Sequence, residues 1–317
     1  MFHTLGAKVM RTPFLLIGIL GMLLSSGCAA SVAVPALESM QELDYGGRER
    51  FVELDGERIA YVLEGSGART LVFVHPWAGN LQIWDEVVRQ LPEYRVLRLD
   101  LPGHGKSDKT RTRYEIDHAA QVVVGVMDHV GAGSVTLLGN SLGGAISMAV
   151  IRDHPDRLEA LVLIDALGGG PVPGFFAFFI QQFFTAPLFS GADDGLVELF
   201  SDLFVFGANT TFNDRFMADL LASRDSAEGY AWSLAVSDYL RNATDYDATP
   251  WLGQITVPTL IVWGEDDWVI FPGAGDHLHE SIPGSELVHF GDCGHMPEVD
   301  CPEQFVPVLR RFLAALP

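Results

Sequence analysis

The chain has 317 residues, 48% of them hydrophobic, enough for one sizeable core and a smaller appended layer. Its 20 Lys and Arg stand against 41 Asp and Glu, a net charge of −21, which excludes the basic surface that a nucleic-acid partner requires. Lysine occurs only at positions 8, 106 and 109, a composition that suits either salt adaptation or an arginine-biased route to solubility.

Lys8 and Arg11 precede an apolar run at residues 14–24, and Ser25, Ser26, Gly27, Cys28, Ala29 and Ala30 follow. The run is too short for a comfortable membrane anchor, and the order basic, apolar, small is that of a secretory signal. Export to the cell envelope is therefore expected, with residues 1–27 removed. Small residues ending at Cys28 resemble a bacterial lipoprotein signal, which implies lipid on Cys28 and a membrane partner through that anchor. Ser25 stands where such signals usually carry Leu, with Leu24 one position early. The alternative is ordinary cleavage after Ala29 or Ala30, or within residues 31–36, giving a periplasmic or secreted protein.

Residues 28–47 read as a polar linker. Residues 51–54 and 57–62 read as two strands joined by the turn Asp55-Gly56. A second turn region leads into a buried strand at 70–74 and then to His75, Pro76, Trp77, Ala78, Gly79 and Asn80. Residues 81–91 are expected to be helical, with Ile83, Trp84, Val87, Val88 and Leu91 on one face. A strand at 94–99 ends in Asp100-Leu101-Pro102-Gly103-His104-Gly105-Lys106-Ser107-Asp108, and residues 116–130 form a helix. The next strand turns sharply at Gly139-Asn140-Ser141-Leu142-Gly143 and runs on into a helix. Strand, sharp turn and helix are the context in which Gly-x-Ser-x-Gly marks a nucleophile elbow, with Ser141 at the strand's carboxyl end beside the first helix amides. Strand and helix alternate about every thirty residues, the signature of a parallel sheet covered on both faces.

The alternation stops after the sixth core strand. Residues 168–174 are a Gly-Pro connector, and an insertion follows to about residue 249. Phe175, Phe176, Phe178, Phe179, Ile180, Phe183 and Phe184 make a segment apolar nearly all round. Leu196, Leu199, Phe200, Leu203 and Phe204 then form an amphipathic face. Helical runs at 213–223 and 226–240 add Phe216, Leu220, Tyr230, Trp232 and Tyr239. Most of these aromatics are expected to form the insertion's own small core; Phe175, Phe176 and Phe179 are candidates to line a substrate cleft. A buried strand at 259–263 then leads to Gly264-Glu265-Asp266-Asp267-Trp268, and a strand at 286–290 leads to Gly291-Asp292-Cys293-Gly294-His295-Met296. With Cys28 lipidated, Cys293 and Cys301 remain as an even pair that can form a disulfide outside the cytoplasm or stay as two buried thiols.

The loop at 75–80, the Asp-Leu-Pro-Gly-His-Gly-Lys-Ser loop, the elbow and the two late blocks together resemble the α/β-hydrolases, in the family's order, from about residue 50 to the C-terminus apart from the insertion. The resemblance implies an α/β class fold, a mostly parallel twisted sheet flanked by helices with a helical cap inserted after the sixth strand. It divides the chain into a first core part at 48–166, a cap at 167–249 and a second core part at 250–317.

A hydroxyl needs a base to take its proton, and that base needs a carboxylate to fix its tautomer. The chain order Ser141, Asp267, His295 is the order this fold uses. His75 and His104 resemble the family's structural loop histidines. His118, His129, His154, His277 and His279 are expected to be solvated, His289 alternates within a strand, and His295 alone sits in a Gly-flanked loop just after the last strand. Asp165, ending the sixth strand, is a second acid position in this fold. The resemblance places oxyanion donors at the amides of Trp77 and Leu142; Pro76 stands where family members usually have Gly, which bears on the loop's conformation. Met296 follows the base and is a further candidate substrate contact.

These residues imply a serine hydrolase of esters of hydrophobic or aromatic acids or alcohols, working through an acyl-enzyme with no cofactor or metal. Carbon-carbon bond hydrolases of aromatic ring degradation have an elbow similar to Gly139-Asn140-Ser141 but usually carry Trp where this chain has Met296. Cofactor-free perhydrolases share the triad, and a non-catalytic binder of an apolar ligand would not require it.

Overall fold

The computed structural model describes residues 37–111, 113–170, 172, 174–183, 185–192, 194 and 211–317. The leader and Cys28 lie outside them, as do Leu196, Leu199, Phe200, Leu203 and Phe204.

Eight strands form one sheet: β1 (Arg50–Leu54), β2 (Glu57–Glu64), β3 (Thr70–Val74), β4 (Arg95–Leu99), β5 (Val135–Asn140), β6 (Leu158–Ile164), β7 (Thr259–Gly264) and β8 (Glu286–Phe290). Their order is β1-β2-β4-β3-β5-β6-β7-β8. The β1–β2 hairpin turns through Asp55 and Gly56, both with positive φ, which matches the strands' right-handed twist. β2 pairs antiparallel with β4, and every later pairing is parallel. Every residue of β3, β5 and β7 is buried, which is why these strands read as unbroken apolar runs.

The helices are α1 (Asp85–Arg89), α2 (Ile116–His129), α3 (Leu142–Asp153), α4 (Gly174–Phe183), α5 (Ala186–Ser190), α6 (Thr211–Asp225), α7 (Gly229–Ala243), α8 (Gly273–Ser281), α9 (Pro297–Asp300) and α10 (Pro302–Ala315). One sheet face packs Val72, Val74, Leu137 and Leu163 against residues of α2 and α3. The other packs Leu71, Phe73, Leu138 and Val162 against α1 and against Phe305, Val306, Leu309, Phe312 and Leu313, the apolar stripe of α10. Among the described residues no helix is long and apolar enough to cross a membrane.

Three local expectations are corrected. The helix expected at 81–91 is a 3-10 turn, Leu81–Trp84, followed by the single α-turn of α1. Asn80 Oδ1 takes the Gln82 amide and Asp100 Oδ1 takes that of Leu81, which tightens the first turn. The linker expected to residue 47 is packed from residue 37 onward. Met40, Leu43 and Tyr45 are buried beside Leu81 and Trp232, and the Met40 amide donates to Glu228 Oε2 at 2.6 Å. Finally, the aromatics of α7 divide: Tyr239 packs into the main core, Trp232 joins a separate cluster of Leu220, Leu221 and Val236 with Met40, Leu43, Tyr45, Val62 and Leu81, and Tyr230 is exposed.

Candidate active site

The site is built where β3, β5, β6, β7 and β8 end. At the elbow, Ser141 has φ 52° and ψ −115°, a left-handed backbone that costs ~1–3 kcal/mol at a non-glycine residue and is held by its surroundings. Its amide donates to the Ile164 carbonyl at 2.9 Å, and its carbonyl accepts from Leu167 at 3.0 Å. A Cβ at Gly139 would stand 2.2 Å from the Gly143 carbonyl oxygen, and one at Gly143 would stand 2.2 Å from that of Val74. Both glycines flanking the serine are therefore dictated by backbone crowding. Leu142 opens α3, so its amide is one of the four that a helix leaves without an internal acceptor.

The acid and base come from the last two strand ends. Asp267 Oδ2 accepts from His295 Nδ1 at 2.8 Å, and both residues are buried. Asp267 Oδ1 accepts from the amides of Val269 and Ile270 at 2.8 and 2.9 Å. Gly264 lets the two loops cross, since a Cβ there would lie 2.0 Å from the Gly294 carbonyl oxygen. Cys293 and Cys301 form a disulfide that brackets the base, and the Gly294 amide donates to Asp300 Oδ2 at 2.7 Å inside the same loop.

Asn140, read from the sequence only as part of the elbow, joins the two halves of the site. Its Nδ2 donates to the Ile164 carbonyl and to the His295 carbonyl, each at 3.1 Å. The residue next to Ser141 thus fixes the backbone of His295. Asp165, read as a second acid position, is fully buried with φ 40° and lies in the same cluster, the ligand atoms of Asp165, Asp267 and His295 falling within 4.8 Å of one another. Burial, then the Asp267 charge, holds its carboxyl well above the usual range. Among the described residues this is the one trio spaced to share a cation, yet the hydrogen bond between Nδ1 and Oδ2 already occupies the position between base and acid.

On the opposite side of Ser141, Pro76 does not disrupt its loop. The Gly79 amide returns to the Pro76 carbonyl at 3.2 Å through Ala78, whose φ is 59°. The Trp77 indole donates to the Val236 carbonyl at 2.6 Å, tying this loop to α7. His75 Nδ1 donates to the Pro76 carbonyl at 2.8 Å and its Nε2 accepts the Leu101 amide at 3.0 Å. Burial lowers it to about 4, and His104, whose ring lies tilted against it with centroids 5.0 Å apart, is pushed well below the ordinary imidazole range by burial and then by His75. Both are neutral scaffold groups. Of the histidines expected to be solvated, His118 is half-buried against Glu57 at 2.7 Å.

Met296 is buried against Met217 of α6 and Val299, so it joins the base loop to the insertion. Phe175, Phe176 and Phe179 belong to α4, but their side chains lie outside the described residues. Glu298 gave no signal in the sequence: it is fully buried, neither carboxyl oxygen has a hydrogen-bond partner among the described residues, and burial pushes it up to about 8.

The fold and the residues at these strand ends agree with a direct comparison, in which residues 69–300 match the alpha/beta hydrolase fold family. The chain belongs to that family. This hydrolase is 30% identical to the "2-hydroxy-6-oxononadienedioate/2-hydroxy-6-oxononatrienedioate hydrolase" of Cupriavidus pinatubonensis (strain JMP 134 / LMG 1197), over 87% of this chain and 98% of that one. Among solved structures it resembles a membrane phospholipase A described as a novel bacterial virulence factor, with a TM-score of 0.73 and 27% identity over 84% of this chain and 86% of that one. It is also similar to Est816, described as an N-acyl homoserine lactone degrading enzyme, with a TM-score of 0.68 and 28% identity over 83% of this chain and all of the other.

Proposed function

We propose that this alpha/beta hydrolase cleaves carboxylic esters of apolar acids or alcohols through a Ser141, His295, Asp267 triad. The observation that carries this reading is the bond from Asn140 to the His295 carbonyl, which places the elbow beside an imidazole whose Nδ1 is held by Asp267. With Nδ1 so engaged, His295 Nε2 takes the Ser141 proton as the hydroxyl attacks the carbonyl carbon. The amides of Trp77 and Leu142 receive the oxyanion, His295 protonates the leaving alcohol, and a water it activates releases the acid from Ser141. The exposed Phe178 and Leu188 on the insertion, and Trp268, Val269 and Phe271 just after Asp267, suit an apolar substrate. The descriptions of two structural relatives, a membrane phospholipase A and an N-acyl homoserine lactone degrading enzyme, support this reading.

A second reading, carbon-carbon bond hydrolysis of a ring-cleavage product, is favoured by the name of the Cupriavidus relative. Turnover of short- and long-chain p-nitrophenyl esters, beside a vinylogous diketo acid of the ring-cleavage type, separates the two. Ester turnover that Ser141→Ala lowers by about 10⁴-fold or more supports the esterase. Turnover of the diketo acid alone replaces it with the second reading.

Export and a lipid anchor at Cys28 are part of the same proposal. The Cys293–Cys301 disulfide suits an oxidising compartment. Fatty-acid labelling of the full chain, lost in Cys28→Ala, would support the anchor; an unlabelled, soluble mature protein would refute it.

A further inference from the structure

The candidate acid has a second buried carboxyl beside it, with an oxygen of Asp165 within 4.8 Å of one of Asp267. Asp267 takes three N–H donors, from Val269, Ile270 and His295, which fill three of the roughly four lone-pair directions that a carboxylate offers. A hydrogen bond between the two carboxyls is among the causes that raise Asp165. Asp165 itself receives one donor, the Gly264 amide at 3.0 Å on Oδ1, while its Oδ2 is buried with no N–H or O–H of the described residues upon it. Two carboxylates cannot hydrogen-bond to each other. One proton must lie between them, and an interior this dry does not tolerate both charges side by side.

We propose that Asp165 is a positioning residue that keeps a proton on Oδ2 and donates it to Asp267, supplying the fourth hydrogen bond that fixes the carboxylate facing His295. This rests on the reading of Ser141, His295 and Asp267 as the triad. The proton belongs to Asp165 because Asp267 is already the better-solvated partner, with three donors against one. The groups facing the pair are Asp267 on the β7 loop, His295 on the β8 loop and Glu298 on α9, with Asp300 beyond Glu298. Glu298 has no donor of the described residues on either oxygen, burial raises it to about 8, and its charge also raises Asp165, which favours the proton there. Burial and the Asp267 charge both favour the protonated form of Asp165. No proton leaves Asp165 during turnover: it acts on the chemistry only by holding Asp267.

The test combines a spectrum that needs no substrate with kinetics that do. In protein labelled with ¹³C-aspartate, the infrared band of a protonated aspartyl carboxyl at about pH 6 should weaken on Asp165→Asn, leaving the Asp100 contribution behind and the unlabelled Glu298 unseen. Asp165→Ala should lower kcat about tenfold with KM unchanged, and Asp165→Asn, whose amide replaces the donated proton, should recover all but about threefold. An unchanged band, an Asp165→Ala enzyme with wild-type kcat, or an Asp165→Asn enzyme as impaired as Asp165→Ala would each overturn the proposal. Should Asp165→Ala fail to fold, the spectrum and Asp165→Asn still decide. The spectrum also stands whether or not Ser141→Ala abolishes ester turnover, so failure of the triad reading is seen separately.

Discussion

Two pairs of buried carboxyl and imidazole sit at strand ends of the same sheet, one behind β3 and β4 and one behind β7 and β8. In the first, Asp100 takes the Leu81 and Lys106 amides and the Tyr45 hydroxyl, each at 2.8 Å, and both nitrogens of His75 are bonded to backbone. In the second, the carboxyl of Asp267 holds the imidazole of His295 directly. The same two side chains in similar burial thus give a rigid loop in one place and, in the proposed reading, a proton shuttle in the other. The difference is whether the carboxylate spends its lone pairs on backbone and phenol or on the ring, and so whether one ring nitrogen remains for chemistry.

The comparison breaks most visibly in kinetics. His295→Ala should lower kcat for ester hydrolysis by about 10⁴-fold or more, whereas His75→Gln should change it less than about tenfold while costing ~1–3 kcal/mol of stability. Steady-state rates and urea unfolding on both variants check this. Next in size, Asp100→Ala leaves two amides and a phenol without their acceptor and should cost about 3–5 kcal/mol in the same unfolding assay. Replacing Cys293 and Cys301 together with serine tests whether the second pair depends on its covalent bracket. Opening a short loop should lower stability by about 2–3 kcal/mol.

The smallest effect is a matter of sign. Asp100 is raised by burial to about 6, so its contribution is complete below its ordinary value near 3.8 and is lost as pH rises through 6. His75 is lowered by burial to about 4, so its contribution is complete above 6.5 and is lost as pH falls through 4, and His104 acts in the same direction. The two kinds of group oppose each other between pH 4 and 6. Asp100→Asn should therefore steepen the loss of stability on acidification across that window, measured as the urea midpoint at several pH values.

What the residues disclosed in advance follows from what each signal depends on. Fully buried parallel strands announce themselves as apolar runs, and the strand expected at 70–74 has those bounds in the structure, as does the half-buried strand expected at 286–290. Ser141, Asp267 and His295 were legible because Gly-flanked loops after strands are local features. The turn at Leu81–Trp84 was not, because Asp100, nineteen residues away, captures its first amide. Residues 37–47 looked like a linker because their polar neighbours hide three side chains that are buried only once α7 arrives. Asn140 and Glu298 were invisible for the same reason: one acts by reaching the β8 loop and the other by being enclosed, and neither is written in neighbouring residues.

The insertion divides the machinery as well as the chain. Everything up to α5 holds the proposed nucleophile Ser141 and the proposed oxyanion amides of Trp77 and Leu142, and everything from α6 onward holds the proposed acid Asp267 and base His295. A break between α5 and α6 would yield two pieces that each lack what the other carries, held together by the β6–β7 ladder and the seat of α7 on Trp77 and Tyr114. Hydrolysis by such a pair would report their reunion, which makes this connection the natural seam for a split reporter.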